Sequence, residues 1–508
     1  MDRKITSALV SVYNKENLEA PVRMLHQLGV VFYSTGGTRE YLEQLGIPVI
    51  PVETLTSYPS ILGGRVKTLH PKIFGGILGR RDKAGDVAEM KTHDIPEIDL
   101  VIVDLYPFED TVRQGAEEAE IIEKIDIGGV SLIRAAAKNH KDTLIVASRK
   151  EYAPLLSLLE EKKGTSSLSD RKSFAVRAFS VTAHYDTQIY RWMNRKEECI
   201  DWRMSEEPAR VLRYGENPHQ RGYFYGPLQD MLEIIQGKEL SYNNLADADA
   251  ALRLVQEFDA PAAAIIKHTN ACGLAVRAEL SEAYEAAFAC DTTSAFGGVI
   301  ALNRPVDLAT AEKMNSLFFE LLAAPGYTEE ALAILQQKKN RILLVWKKPL
   351  SGKEKMVKSV LNGILVQDWD NTAESREQFR QVSKRPVSEG ETSDLEFAIK
   401  AVKHLKSNGI ALVRNGQLIG MGCGQTSRID ALEQAIRKAG SFGFDVRGAV
   451  MASDAFFPFP DCVQIAAAAG ITAIAQPGGS IKDQDSVDAA DKLGVSMVMT
   501  GVRHFRHG

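Results

Sequence analysis

Short runs of β-branched and aliphatic residues alternate along this chain with stretches whose apolar residues recur at helical spacing, which restricts it to α/β architectures. SALVSVY and VVFYSTGG read as strands, and DLVIVDLYPF (99–108) and TLIVAS (143–148), rich in β-branched residues, as strands buried on both faces. Helical periodicity fills the intervals over 18–28, through Tyr41 and over 151–193. This order predicts a parallel sheet covered by helices. The polar segment NRKEECIDWRMSEEPAR (194–210) has no apolar period, so a first domain is expected over 1–195, a linker over 196–210 and a second domain over 211–508. The same rhythm returns in AAAIIKH (262–268), GGVIALN (297–303), GIALVRNGQLIGMG (409–422), GAVMASD (448–454), ITAIAQPGG (471–479) and SMVMTGVRHF (496–505). That makes a second α/β core, readable as two similar lobes, with the lysine-rich stretch 338–385 expected as surface structure between them. No fixed-period repeat is visible.

Composition narrows the function classes. A chain of 508 residues with 44% apolar and 25% charged content is globular and long enough for more than one core. Its 61 basic against 66 acidic residues leave no global excess of positive charge, which argues against nucleic-acid binding. Cysteines at 199, 272, 290, 423 and 462 form no CxxC pair and no disulfide framework, so a reducing, cytoplasmic setting is expected. No stretch of 18 apolar residues occurs, and neither a membrane span nor a signal peptide is expected.

Three constellations carry chemistry. Ser34, Thr35, Gly36, Gly37 and Thr38 sit between a strand and a helix, where free N–H groups and hydroxyls can surround a phosphate, although such a turn is also a common tight connection. LGGRVKTLHPKIFGGILGRR (62–81) sets Arg65, Lys67, His70, Lys72, Arg80 and Arg81 among glycines. It reads as a loop gathering cations, too glycine-rich for a stable helix; the plainer reading is a solvated basic face. IEKIDIGGVSLIRAAAKNHKD (122–142) supplies Asp126, Gly128, Gly129, Arg134 and Lys138 at a loop-to-helix junction. With Tyr106, these are expected to converge at the C-terminal edge of one parallel sheet. In the second half, Lys267 and His268 end an apolar strand; on spacing alone such a pair is more often structural, as AFFPF is more often core than a ligand platform.

The chain resembles the bifunctional AICAR transformylase/IMP cyclohydrolase family along essentially its whole length. The motifs are GGRVKTLHPKIFGGIL, IDIGGVSLIRAAAKNH, LRYGENPHQ, SAFGGVIALNRPVD, SDAFFPF and the terminal GVRHFRH. The resemblance implies an N-terminal methylglyoxal-synthase-like domain that closes the purine ring. It also implies a larger α/β transformylase region of two cytidine-deaminase-like lobes that moves a formyl group from 10-formyltetrahydrofolate to AICAR. For ring closure it implies catalytic roles for Lys67, Tyr106, Asp126 and Lys138, with substrate held by Ser11, Lys15, Ser34, Thr35, Gly36, Gly37, Thr38, Arg65, Thr68, Gly128 and Gly129. For formyl transfer it implies His268 as base with Lys267 and Asn408, and AICAR on Arg213, Tyr214, His219, Phe296, Gly297, Arg503 and Phe505. Folate would lie on Ser427, Arg428, Phe456, Phe459 and Asp461. It further implies small-molecule substrates, a homodimer, no catalytic metal, and a candidate monovalent cation (K+) site near Asp454.

Three positions depart from the family pattern. SVYNK and DLYPF put Tyr13 and Asp104 where the family has a small hydroxyl and an amide, and KHTNACG puts Ala271 where it has proline. An ionised Asp104 only accepts hydrogen bonds, so it is expected to pair with a cation such as Lys67 or Arg65. Ala271 should only loosen its turn. Two rival readings are a zinc deaminase, whose HxE and PCxxC signatures are missing, and a non-catalytic metabolite sensor, against which Lys67, Asp126, Lys267 and His268 argue.

Overall fold

The computed structural model describes residues 2–195, 201–207, 209–352, 355–372 and 374–507; Cys199 and the rest of linker segment 196–200 lie outside these. The chain divides into two compact units, Met1–Glu206 and Glu207–Gly508, with the division inside the segment read as a linker.

In the first unit the apolar runs form a five-stranded sheet in the order Val49–Pro51, Val31–Ser34, Ser7–Ser11, Leu100–Val103, Leu144–Val146, with every pairing parallel. Leu9, Val10, Val101, Ile102 and Ile145 are fully buried, as expected of strands covered on both faces. The strand order turns outward in both directions from Ser7–Ser11, so the edge where Ser11, Ser34 and Val103 end is a topological switch point.

The glycine-rich stretch 62–81 corrects an expectation. It contains a helix, Pro71–Leu78, entered by Pro71 and capped by His70, whose Nδ1 accepts from the Lys72 N–H at 3.2 Å. Its glycines serve close packing: a Cβ on Gly76 would stand 2.4 Å from the Pro96 carbonyl oxygen. Tertiary contact outweighs the helix penalty of glycine here.

The second unit is a duplication. One six-stranded sheet runs Leu232–Gln236, Ile342–Trp346, Leu321–Ala324, Val299–Leu302, Ala262–Lys267, Asn270–Val276. The other runs Arg380–Gln381, Ser496–Met499, Ala473–Gln476, Val450–Ser453, Ile410–Val413, Leu418–Gly422. The successive pairings in both are antiparallel, parallel, parallel, antiparallel, antiparallel. The helices Tyr242–Val255 and Glu389–Lys403 hold equivalent places before the central hairpins and share one core through Leu254, Val255, Ala401 and Val402. Glu257 joins the lobes by accepting from Lys403 at 2.8 Å and His404 at 2.9 Å. The stretch 338–385 is therefore not only surface: Ile342–Trp346 lies inside the first lobe's sheet and Arg380–Gln381 edges the second, while the ribbon Lys355–Val360 with Gly363–Asp368 is exposed.

Candidate functional site

The switch-point edge of the first unit opens into a cavity of about 870 Å³. Ser11, Lys15, Thr35, Gly37, Thr38, Arg65, Lys67, Thr68, Tyr106, Asp126, Gly128 and Gly129 line it, from five separate sequence segments. Two helices begin there, Gly36–Gln44 and Gly128–Lys138, so two positive dipole ends face one space. Lys67 Nζ reaches the first of these: a Cβ on Gly36 would lie 3.0 Å from it, and Gly36 takes a left-handed φ of 55°. Thr68 reaches the second, with Oγ1 3.1 Å from the Cβ position of Gly128.

The carboxylates differ in environment. Burial pushes Asp126 above the usual carboxylate range, opposed by backbone N–H groups including that of Gly129, which donates to Oδ1 at 2.6 Å. Tyr106 is raised by burial and by the nearby Asp126 charge. Its ring meets that of Tyr13 edge-on. Lys15 is lowered by burial, with Asp104 opposing and Lys67 assisting, while its Nζ donates to the Val12 and Tyr13 carbonyls at 2.8 and 2.9 Å.

Asp104 does not take the cation partner expected of it. Its carboxylate accepts from the backbone N–H groups of Tyr13 and, at 3.0 Å, Asn14, and so ties the loop after the first strand to the end of its neighbour. Lys67 stands at the helix Gly36–Gln44, and Arg65 pairs with Glu123 instead. Burial nevertheless raises Asp104, against those N–H groups, Lys15 and Arg149.

Other expectations are also corrected. Ser34 is fully buried and donates to the Val10 carbonyl at 2.7 Å, and so serves the sheet. Lys138 is exposed at the far end of the helix that Gly128 begins, ~15 Å of axial rise away, and is not among the cavity-lining residues. Arg80 pairs with Asp86, and Arg81 with Asp99 and Glu97, so the cationic stretch sends only Arg65 and Lys67 to the cavity. Leu62, Ile122, Glu123, Lys124, Ile125 and Ile127 line the cavity without having been anticipated; of these only Glu123 and Lys124, charges three and two residues before Asp126, left a signal in the sequence.

In the second unit the predicted residues fall into groups on different lobes. On the first lobe Lys267 ends its strand and donates to the Phe296 carbonyl at 2.8 Å, beside Gly297. His268 follows in a left-handed conformation, φ 52°. Phe296 is exposed and tilted against Phe318, Arg213 lies over the Tyr214 ring, and His219 is exposed. On the second lobe Asn408 accepts at Oδ1 from Arg428 at 2.7 Å, and Arg428 also pairs with Asp454. Ser427 caps the helix Arg428–Ser441, Phe459 is exposed beneath Lys482, and Asp461 begins another helix next to Phe456 and Phe459. The Arg503 guanidinium covers the Phe505 ring.

Arg428 and Asp454 require reassignment. Arg428 is buried, so it braces Asn408 and is not free for a ligand. Fully buried Asp454 accepts from Arg428, from Ser407 Oγ at 2.6 Å and from the Gly409 N–H at 3.0 Å, so its charge is met without a cation.

The family model described as the AICARFT/IMPCHase bienzyme matches residues 136–438, and that of the MGS-like domain matches residues 17–131. The chain is 56% identical over 505 residues to the bifunctional purine biosynthesis protein PurH of Bacteroides thetaiotaomicron, covering 99% of each. It is 43% identical over 514 residues to that of Bacillus subtilis, covering 99% of this chain and 100% of the relative. For Aquifex aeolicus the identity is 45% over 517 residues, covering 98% and 100%. The chain belongs to the AICARFT/IMPCHase bienzyme family, with an MGS-like first domain. It is a bifunctional enzyme of purine biosynthesis, an AICAR formyltransferase and an IMP cyclohydrolase.

Proposed function

We propose that the switch-point cavity closes the purine ring and that the duplicated unit performs formyl transfer from 10-formyltetrahydrofolate. The observation that carries the first assignment is the convergence of Lys67, Asp126 and two helix N-termini on one cavity. In ring closure the carboxamide nitrogen of formyl-AICAR attacks the formamide carbon and gives up one proton, and the oxygen left on that carbon departs as water with this proton and that of the formamide nitrogen, which forms the new C=N bond. Lys67 stabilises the developing oxyanion, Asp126 takes and returns the proton, and Tyr106 hydrogen-bonds the reacting centre. A carboxyl raised by burial suits that exchange. The N–H groups at Gly37, Thr38 and Gly128, with Lys15 and Arg65, hold the ribotide phosphate and base.

In formyl transfer the AICAR amine attacks the formyl carbon of the folate, His268 removes the amine proton, Lys267 stabilises the tetrahedral oxyanion, and the folate nitrogen leaves with that proton as the C–N bond breaks. Asn408, held by Arg428, hydrogen-bonds the formyl oxygen. Arg213, Tyr214, His219, Phe296, Arg503 and Phe505 hold AICAR, and Ser427, Phe456, Phe459 and Asp461 hold the folate. Lys267 and His268 end a strand in one lobe, whereas Asn408 precedes the equivalent strand of the other. That placement favours a site shared between two copies, a cytoplasmic homodimer.

The test is a paired assay: AICAR with 10-formyltetrahydrofolate, and separately formyl-AICAR alone, each followed to IMP. Turnover in both supports the assignment, and a formyl-AICAR binder without turnover would replace it with a sensor. On dilution, formyl transfer is expected to fall before ring closure; parallel loss of both would remove the shared-site reading.

A further inference from the structure

We propose that Asp247 is a positioning residue for formyl transfer, its carboxylate clamping the His268–Thr269 turn and so aiming the His268 imidazole. The inference rests on the reading of His268 as the base. His268 and Thr269 form the turn between the strands Ala262–Lys267 and Asn270–Val276, both left-handed, with φ of 52° and 60°. Two-residue hairpin turns of this kind favour Asn-Gly, and a β-branched residue at positive φ is unusual. The Thr269 N–H donates to Asp247 Oδ1 at 2.7 Å. Burial, the first cause acting on Asp247, raises its carboxyl, and the Thr269 N–H, with the His268 and Lys267 charges, opposes that.

The duplication isolates what the carboxylate does. In the other lobe Asn415 and Gly416 make the equivalent turn, with φ of 52° and 63°. Their N–H groups donate to the two oxygens of Asp394, both at 2.8 Å. Asp247 and Asp394 each stand six residues after a serine N-cap, Ser241 and Ser388. The residue before each turn also has the same bond: Lys267 donates to the Phe296 carbonyl at 2.8 Å, and Arg414 to the Arg447 carbonyl at 3.3 Å. Each of those carbonyls lies three residues before the strand Val299–Leu302 or Val450–Ser453. The acid therefore recurs where there is no imidazole, so its office is the turn and not a proton relay. The second lobe has the favoured Asn-Gly; the first carries His-Thr and depends on its clamp.

The experiment uses the full-length enzyme and compares Asp247→Ala, Asp247→Asn, His268→Ala, the double variant Asp247→Ala/His268→Ala, and Asp394→Ala. Asp247→Ala is expected to lower kcat for formyl transfer ~10- to 100-fold with the KM values for AICAR and folate held within about threefold. A thermal unfolding curve matching the parent's reports that the unit carrying Asp247 is folded, which ring closure, assigned to the other unit, would not. Asp247→Asn keeps an acceptor for the Thr269 N–H and is expected to recover most of the rate. In the His268→Ala background the Asp247 change is expected to add nothing, because it acts through His268. Asp394→Ala is expected to leave formyl transfer unchanged. An Asp247→Ala enzyme within about threefold of the parent, or Asp247→Asn as slow as Asp247→Ala, would overturn the proposal. A fully active His268→Ala would instead remove the reading of His268 on which it rests.

Discussion

Tyr13 meets Tyr106 edge-on, with ring centroids 5.4 Å apart and planes at 71°, and Lys124 lies 5.5 Å from the Tyr13 centroid. A residue that departs from the family pattern thus forms the wall against which the proposed ring-closure tyrosine rests. Such an aromatic pair contributes about 0.5–1.5 kcal/mol beyond area burial. Tyr13→Ser is expected to raise the KM for formyl-AICAR roughly 2- to 12-fold while formyl transfer stays unchanged, which steady-state kinetics on each half-reaction would check.

Asp104 takes two backbone N–H groups rather than a side-chain cation. An asparagine can accept at one oxygen, but its NH₂ would face the second N–H. Asp104→Asn is therefore expected to destabilise the first unit by about 1–3 kcal/mol, read by thermal or denaturant unfolding. Were ring closure governed instead by a cation pair at this position, the variant would shift the pH profile without altering stability.

His504 anchors the last segment, with Nδ1 at 2.6 Å from Asp370 and Nε2 at 2.8 Å from Glu374. Burial disfavours its charge, but bonds and attraction from Asp370 and Glu374 prevail and raise it to about 9. Lys403 also acts on Asp370. A histidine raised above its unfolded value contributes stability that is whole below the ordinary value near 6.5 and is lost as pH rises through about 9. The KM for AICAR in formyl transfer is expected to climb as pH passes about 9, because Arg503 and Phe505 flank the anchor. In His504→Gln it should be high and flat from neutral pH upward. An unchanged, pH-independent KM in both would contradict this.

Glu151 is buried in the first unit, accepts from the Ala147 N–H at 3.1 Å, and is pushed up to about 7 by burial, with that bond and Arg177 opposing. An acid raised above its unfolded value weakens the fold progressively as pH rises from about 4.5 to about 7, and by a constant amount beyond. Glu151→Gln keeps the acceptor without the charge. It is expected to stabilise the first unit by as much as about 3 kcal/mol at alkaline pH and by little at acid pH, measured by unfolding across that range.

The sequence by itself determined the elements and the places where chemistry can gather. Buried apolar runs specify strands, helical periods specify their covers, and glycine pairs at strand-to-helix junctions mark Gly36–Gly37 and Gly128–Gly129, because each signal depends on residues a few positions apart. Tertiary structure decided which side chain meets which. Arg80 and Arg81 are claimed by Asp86 and Asp99, Ser34 by Val10, Arg428 by Asp454, and Asp104 by the backbone of Tyr13 and Asn14. The duplication was legible as two similar lobes but not as a repeat with a fixed period, for the same reason. Its two lobes share strand order and hairpin clamps while their residues differ, and pairing between distant strands leaves no period in the chain.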